Sequence, residues 1–124
     1  MASGGESVAS GGTQFFQLLS DETRLRSVLL IHTEGELCVC ELVQALGLIQ
    51  PKVSRHLATL RDAGVLVDRR AGQWVYYRVN SRLPAWALTI IDAAAGGAPA
   101  RKLLSRDRAA LGRMANRPDD RQCA

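Results

Sequence analysis

From Val39 onward the apolar residues Val39, Leu42, Val43 and Leu46 recur at i, i+3, i+4 and i+7, the spacing of a helix that buries one face. Gly47 stops that run. Leu48, Ile49 and Gln50 form a short turn, and Pro51 then sits in the first turn of a second helix, where a residue without an N–H is tolerated. This helix extends to Ala63, ahead of Gly64, with Val53, Leu57 and Leu60 as its inner stripe. Its outer face carries Lys52, Arg55, His56 and Thr59 and is polar and cationic. Two helices joined by a tight turn thus stand mid-chain and constrain whatever packs around them.

After Gly64 the residues turn β-branched and aromatic. Val65–Arg70 and Trp74–Val79 read as two strands around a turn at Ala71, Gly72 and Gln73, a hairpin with the cationic Arg69 and Arg70 near its tip. Upstream, Phe15, Phe16, Leu18 and Leu19 mark a short helix. Ser20 or Asp21 can cap the next, in which Leu25, Val28, Leu29 and His32 keep helical spacing up to a break at Thr33–Glu36. His32, on the apolar side, reads as a core histidine. Downstream, Leu83–Ala95 reads as a helix with Pro84 in its first turn, closed by Gly96 and Gly97. Apolar residues cover nearly its whole circumference, more than one small domain can bury, and a second copy of the chain would cover the remainder. The expected fold class is mainly α with a β-hairpin wing, a winged helix-turn-helix. Residues 1–12 read as a flexible leader, residues 13–97 as the domain, and residues 98–124 as a basic, mobile tail. Within that tail Arg101–Arg117 can continue as a charged helix around Leu103, Leu104, Leu111 and Met114 until Pro118 stops it.

With 124 residues, 47% apolar and 23% charged, the chain has room for one globular domain and is neither disordered nor a disulfide scaffold. No apolar stretch nears the roughly 18 to 20 residues of a membrane span. The leader lacks the basic and apolar blocks of an export signal, so the expected compartment is the cytosol, with no membrane partner. An odd number of cysteines, two of them one residue apart, suits that reducing compartment. Charge is unevenly spread: residues 1–49 hold 2 basic and 6 acidic side chains, residues 50–78 hold 6 and 2, and residues 101–124 hold 7 and 3. A positive middle segment points to a polyanion partner. No paired acid and base, phosphate loop or hydrolytic triad is legible, so neither enzymatic activity nor an organic cofactor is expected.

The second helix of the pair can enter a major groove, with Gln50, Lys52, Ser54, Arg55, His56 and Thr59 reaching base edges or phosphates. Arg69, Arg70 and Gln73 of the hairpin can flank it on the backbone or in the minor groove. The stretch Glu36–Val79 resembles the arsenical-resistance repressor (ArsR) family of metal-sensing bacterial winged helices. The resemblance rests on L-C-V-C-E-L at Leu37–Leu42, Q-P-K-V-S-R-H-L-A-T-L-R at Gln50–Arg61, A-G-V-L at Ala63–Leu66 and W-V-Y-Y-R at Trp74–Arg78. It implies a homodimer that holds double-stranded operator DNA and releases it on binding an inducer ion. It also implies dimerisation through the first and last helices, here the segments of Phe15, Phe16 and Leu19 and of Trp86, Ile90 and Ile91.

Within this likeness Cys38 and Cys40 are the metal ligands, since soft thiolates select soft ions. An ideal α-helix sets i and i+2 about 200° apart, so chelation favours an unwound or extended Cys38–Cys40 segment. Such a preference biases the helix pair that follows. The alternative, that both cysteines are small apolar packing residues, stays open on spacing alone. Two departures from the family pattern stand out. Val43 occupies the place of a third cysteine, so a buffer thiol or hydroxide would complete a three-ligand site for As(III) or Sb(III), with Cys123 of the tail a weaker candidate. Ile49 stands where relatives often have a serine that caps the recognition helix, a loss of about 1 kcal/mol. The expected function is a repressor of an arsenic-resistance operon induced by As(III) or Sb(III). A Cd, Pb or Zn sensor of the same fold is the near alternative, and a thiol redox sensor or a protein-contact winged helix the more distant ones.

Overall fold

The structure, a computed structural model, describes residues 12–118. Helix α1 (Gly12–Leu19) leads to α2 (Glu22–Glu34), whose N-terminus is capped by the Asp21 carboxylate accepting from the Arg24 N–H at 3.0 Å. Five consecutive residues of α2, Ser27–Ile31, are buried, so the middle of this helix is enclosed on every side. A short strand, β1 (Leu37–Cys38), precedes α3 (Val39–Leu46), and α4 (Gln50–Asp62) follows across the tight turn. Gly47, at φ 68°, ends α3 in the left-handed conformation that lets the chain reverse. Val53, Leu57 and Leu60 are fully buried, as the inner stripe of α4 requires. The hairpin is β2 (Leu66–Ala71) and β3 (Trp74–Val79), in register from Leu66 opposite Val79 to Ala71 opposite Trp74, with Gly72 at φ 61° in its two-residue turn. Helices α5 (Ala85–Gly96) and α6 (Ala98–Gly112) complete the chain.

One expectation is extended and two need correction. The hairpin is not alone: β1 pairs antiparallel with β3, Leu37 opposite Tyr77 and Cys38 opposite Tyr76, giving a three-stranded sheet in the order β1-β3-β2. The domain does not end at residue 97. Helix α6 lies across α2 and α3, burying Leu111 and Asp107 at 1% exposure each. The tail residues Arg108 and Arg117 are ion-paired with Glu34. Apolar contacts and a buried ion pair hold Ala98–Gly112 in place. Residues 119–124 of the expected tail and residues 1–11 of the expected leader lie outside the described residues. His32 is not a core residue either, for its Nε2 lies 3.1 Å from the exposed Asp92 carboxylate on α5. Among the described residues no helix is long and apolar enough to cross a membrane.

Candidate DNA-binding face and thiol pair

Cys38 is both the last residue of β1 and the N-cap of α3, with φ −88° and ψ 167°, while Cys40 lies in the first turn of the helix. This junction solves the problem that a continuous helix poses. The extended cap residue swings the Cys38 sulfur round to 2.6 Å from that of Cys40, and both cysteines are free of disulfides. No unwinding of α3 is involved, so the expected unwound or extended segment reduces to one extended residue. The cap is a capping box in which sulfur replaces the usual hydroxyl: the Glu41 N–H faces the Cys38 sulfur, and Glu41 Oε1 accepts from the Cys38 N–H at 2.8 Å. Glu41, buried at 3% exposure, binds Arg117 through its other oxygen. Burial pushes the Cys38 thiol up and its hydrogen bond with Cys40 adds to that, so the thiol is protonated at neutral pH despite the Glu41 amide.

Two of the side chains that matter here, Glu41 and Arg117, were not among the sequence candidates. Glu41 was legible as the fourth residue of a C-x-x-E capping pattern; Arg117 had no local signal at all. Among the described residues no third histidine, cysteine, aspartate or glutamate joins the thiol pair in a metal-binding group, and Cys123 lies outside the described residues.

On α4 the structure exposes Gln50, Arg55 and Thr59 and half-exposes Lys52 and Ser54. His56 departs from that face. Its side chain is 12% exposed, packed against the start of α2, where Nδ1 accepts from Arg24 Nη1 at 3.3 Å and lies 3.8 Å from Asp21. Arg24 also donates from Nε to the Leu18 carbonyl of α1 at 2.7 Å, so His56 fastens the recognition helix to the α1–α2 corner rather than pointing outward. On the wing Arg70 and Gln73 are exposed, whereas Arg69 is held by both Glu36 oxygens at 2.7 and 2.6 Å and stacks over the Tyr76 ring. That bidentate pair offsets the charge expected to meet DNA there. Of the residues expected at a dimer interface, Phe15 and Ile91 are fully buried in the chain's own core and cannot face a partner. Phe16 and Trp86 are exposed, with Leu19 and Ile90 half-buried beside them, and Phe15 touches both aromatic rings edge-on.

Burial lowers the pKa of His56; Asp21 pulls the other way, and the charges of Arg24, Arg55 and Lys52 restore the downward shift. The unfolded chain, whose histidine titrates near 6.5, therefore binds the proton more readily than the folded one. The stability this group contributes is present above that value and lost as pH falls below it. Urea midpoints are expected to drop between pH 7.5 and pH 5.5, and His56→Gln to shrink the drop.

A helix pair with a polar second helix, flanked by a small sheet whose hairpin projects beside it, defines a winged helix-turn-helix DNA-binding protein. Residues 21–67 match the family model described as "Bacterial regulatory protein, arsR family". The chain is 53% identical over 105 residues to the arsenic resistance transcriptional regulator ArsR1 of Pseudomonas putida, covering 83% of this chain and 79% of that one. It is 58% identical over 81 residues to the arsenical resistance operon repressor of Escherichia coli K12, covering 65% and 69%. The fold is similar to the crystal structure of the AntR antimony-specific transcriptional repressor, with a TM-score of 0.59, 26% identity and coverage of 82% and 83%. This chain belongs to the arsR family of bacterial regulatory proteins. It is a transcriptional regulator, not an enzyme.

Proposed function

We propose that this regulator represses an arsenic-resistance operon in the cytosol, holding operator DNA as a homodimer and releasing it when the Cys38 and Cys40 sulfurs capture As(III) or Sb(III). The similar proteins carry arsenic or antimony in their names, and the thiol pair supplies the soft donors such ions take. The observation that carries the reading is the 2.6 Å approach of the two sulfurs at the β1–α3 junction. Two sulfurs bound to one pyramidal As(III) or Sb(III) centre stand farther apart than these, so capture must part them. Capture therefore changes the side-chain packing at the junction, where Cys38 is the N-cap of α3. One side of that junction is paired with Tyr76 of the wing, and the other opens the first helix of the DNA-binding pair. Ion capture there acts on a segment that both DNA-contacting parts share, and so can bias their arrangement.

Gln50, Lys52, Ser54, Arg55 and Thr59 are the proposed contacts of α4, and Arg70 and Gln73 those of the wing. A second copy covers Phe16, Leu19, Trp86 and Ile90. Hydroxide or a buffer thiol completes the inducer's coordination, with Cys123 the candidate from within the chain. The test is a fluorescent promoter duplex saturated with protein, to which arsenite, antimonite, cadmium and zinc are added separately. Binding that weakens steeply with salt, followed by release with arsenite or antimonite and not with the divalent ions, is the expected result. Release by cadmium or zinc alone makes this a divalent-metal sensor, and release by oxidant with none from arsenite makes it a redox sensor.

A further inference from the structure

Among the described residues three large apolar side chains are exposed, and Ile49, at 70%, is the most exposed of them. Phe16 and Trp86 belong to the aromatic cluster of α1 and α5. Ile49 stands apart from both, at the N-cap of α4 with φ −70° and ψ 148°. That extended conformation turns it away from the buried stripe that begins at Val53, while its neighbour Leu48 packs inward on the core. The position is doubly unfavourable in the free protein. An N-cap calls for Ser, Thr, Asp or Asn to bond the first amides of the helix, and Ile49 makes no such bond. Its side chain also remains in contact with water. Among the described residues Ile49 is left with 70% of its surface exposed and no side-chain cap bond.

We infer that Ile49 is a specificity-determining residue that docks on the C5-methyl group of a thymine in the major groove. This inference rests on the reading of α4 as the recognition helix. Leu48 anchors the turn on one side and the exposed Gln50 opens the helix on the other, so Ile49 leads the end of α4 that enters the groove. The first turn carries no acidic side chain to repel the backbone there. On the major-groove edges of the four base pairs the thymine methyl is the one apolar group that projects into the groove. A serine at this position would cap its helix and could bond many partners; isoleucine has only an apolar surface to offer, and the thymine methyl is its match.

The wild-type protein is used to select a duplex from a random-sequence library, and that duplex is resynthesised with deoxyuridine replacing each thymidine in turn, which removes only the methyl group. At one thymidine, with its symmetry mate if the site is palindromic, the replacement is expected to weaken wild-type binding about fourfold per methyl lost. Ile49→Ser should bind the unmodified duplex more weakly by a similar factor and ignore the same replacement, and Ile49→Val should keep part of the preference. Because serine restores the cap, the Ser variant should fold better, by about fivefold in its folding equilibrium constant, so weakened binding with raised stability separates base reading from a structural role. If every deoxyuridine replacement affects the wild type and Ile49→Ser equally, the inference is overturned. Should the wild type enrich no sequence from the library, the DNA-binding reading fails and takes this one with it.

Discussion

Cys38→Ser and Cys40→Ser are expected to stay on the promoter duplex at arsenite concentrations at least about a hundredfold above those that release the parent, since each removes half of the donor pair. Operator affinity without inducer should be unchanged. Serine is the ordinary residue of a capping box, so the Glu41 amide that faces the Cys38 sulfur can be met by a hydroxyl, and the Glu41 carboxylate can still accept from the N–H of residue 38. Cys40, in the first turn of α3 and only partly buried, tolerates the same change. The folded scaffold survives and only the thiolate chemistry is lost. If both variants release as readily as the parent, ion capture by this pair is not the switch.

The same titration followed across pH distinguishes the kinds of ion. Cys38 enters the reaction as a buried, protonated thiol. A divalent cation displaces that proton into solution, so its apparent affinity rises with pH, by up to about tenfold per unit for each proton released. As(III) at neutral pH is the uncharged trihydroxide, and two thiols replace two hydroxides with the release of two waters and no net proton. Release by arsenite is therefore expected to be nearly flat between pH 6.5 and 8, while any response to cadmium steepens.

Much of this site is legible along the chain because its parts repeat with a period. Val53, Leu57 and Leu60 announce the buried stripe of α4, and the β-branched residues after Gly64 announce the hairpin. The two-residue strand Leu37–Cys38 has no period to read, and its pairing with Tyr76 and Tyr77 arises only once the hairpin is folded. Without that strand, the spacing of Cys38 and Cys40 suggests a choice between helix and extended chain, when the actual solution is the boundary between them. His56 follows the outward helical spacing, yet Asp21 and Arg24, more than thirty residues away, draw it in. Arg69 similarly looks available until Glu36 is placed beside it. Side-chain partners distant in sequence decide which cations remain free for DNA, and periodicity does not encode them.

The tail supplies the largest expected change in stability. Asp107, at 1% exposure on α6, accepts from Arg26 Nε at 3.0 Å and from Nη2 at 2.8 Å, and the same Nη2 donates to the Leu46 carbonyl at 3.1 Å. The Arg26 side chain is only 11% exposed. This bidentate pair therefore joins α2, the end of α3 and α6 in a place where water cannot compensate for a missing partner. Asp107→Ala, which strands the guanidinium, is expected to cost about 3–5 kcal/mol in urea unfolding, and Arg26→Met a similar amount. The pair itself is not the source of that stability, because removing both charges also removes both desolvation penalties. Arg26→Met combined with Asp107→Leu should accordingly return most of the loss, a coupling that only contacting residues show. In a chain ending at Gly97 the Arg26 substitution should have little further effect, its partner being gone already. Were α6 a solvated tail, Asp107→Ala would cost less than about 0.5 kcal/mol, as exposed substitutions do, and the docking of α6 against the helix pair would have to be given up.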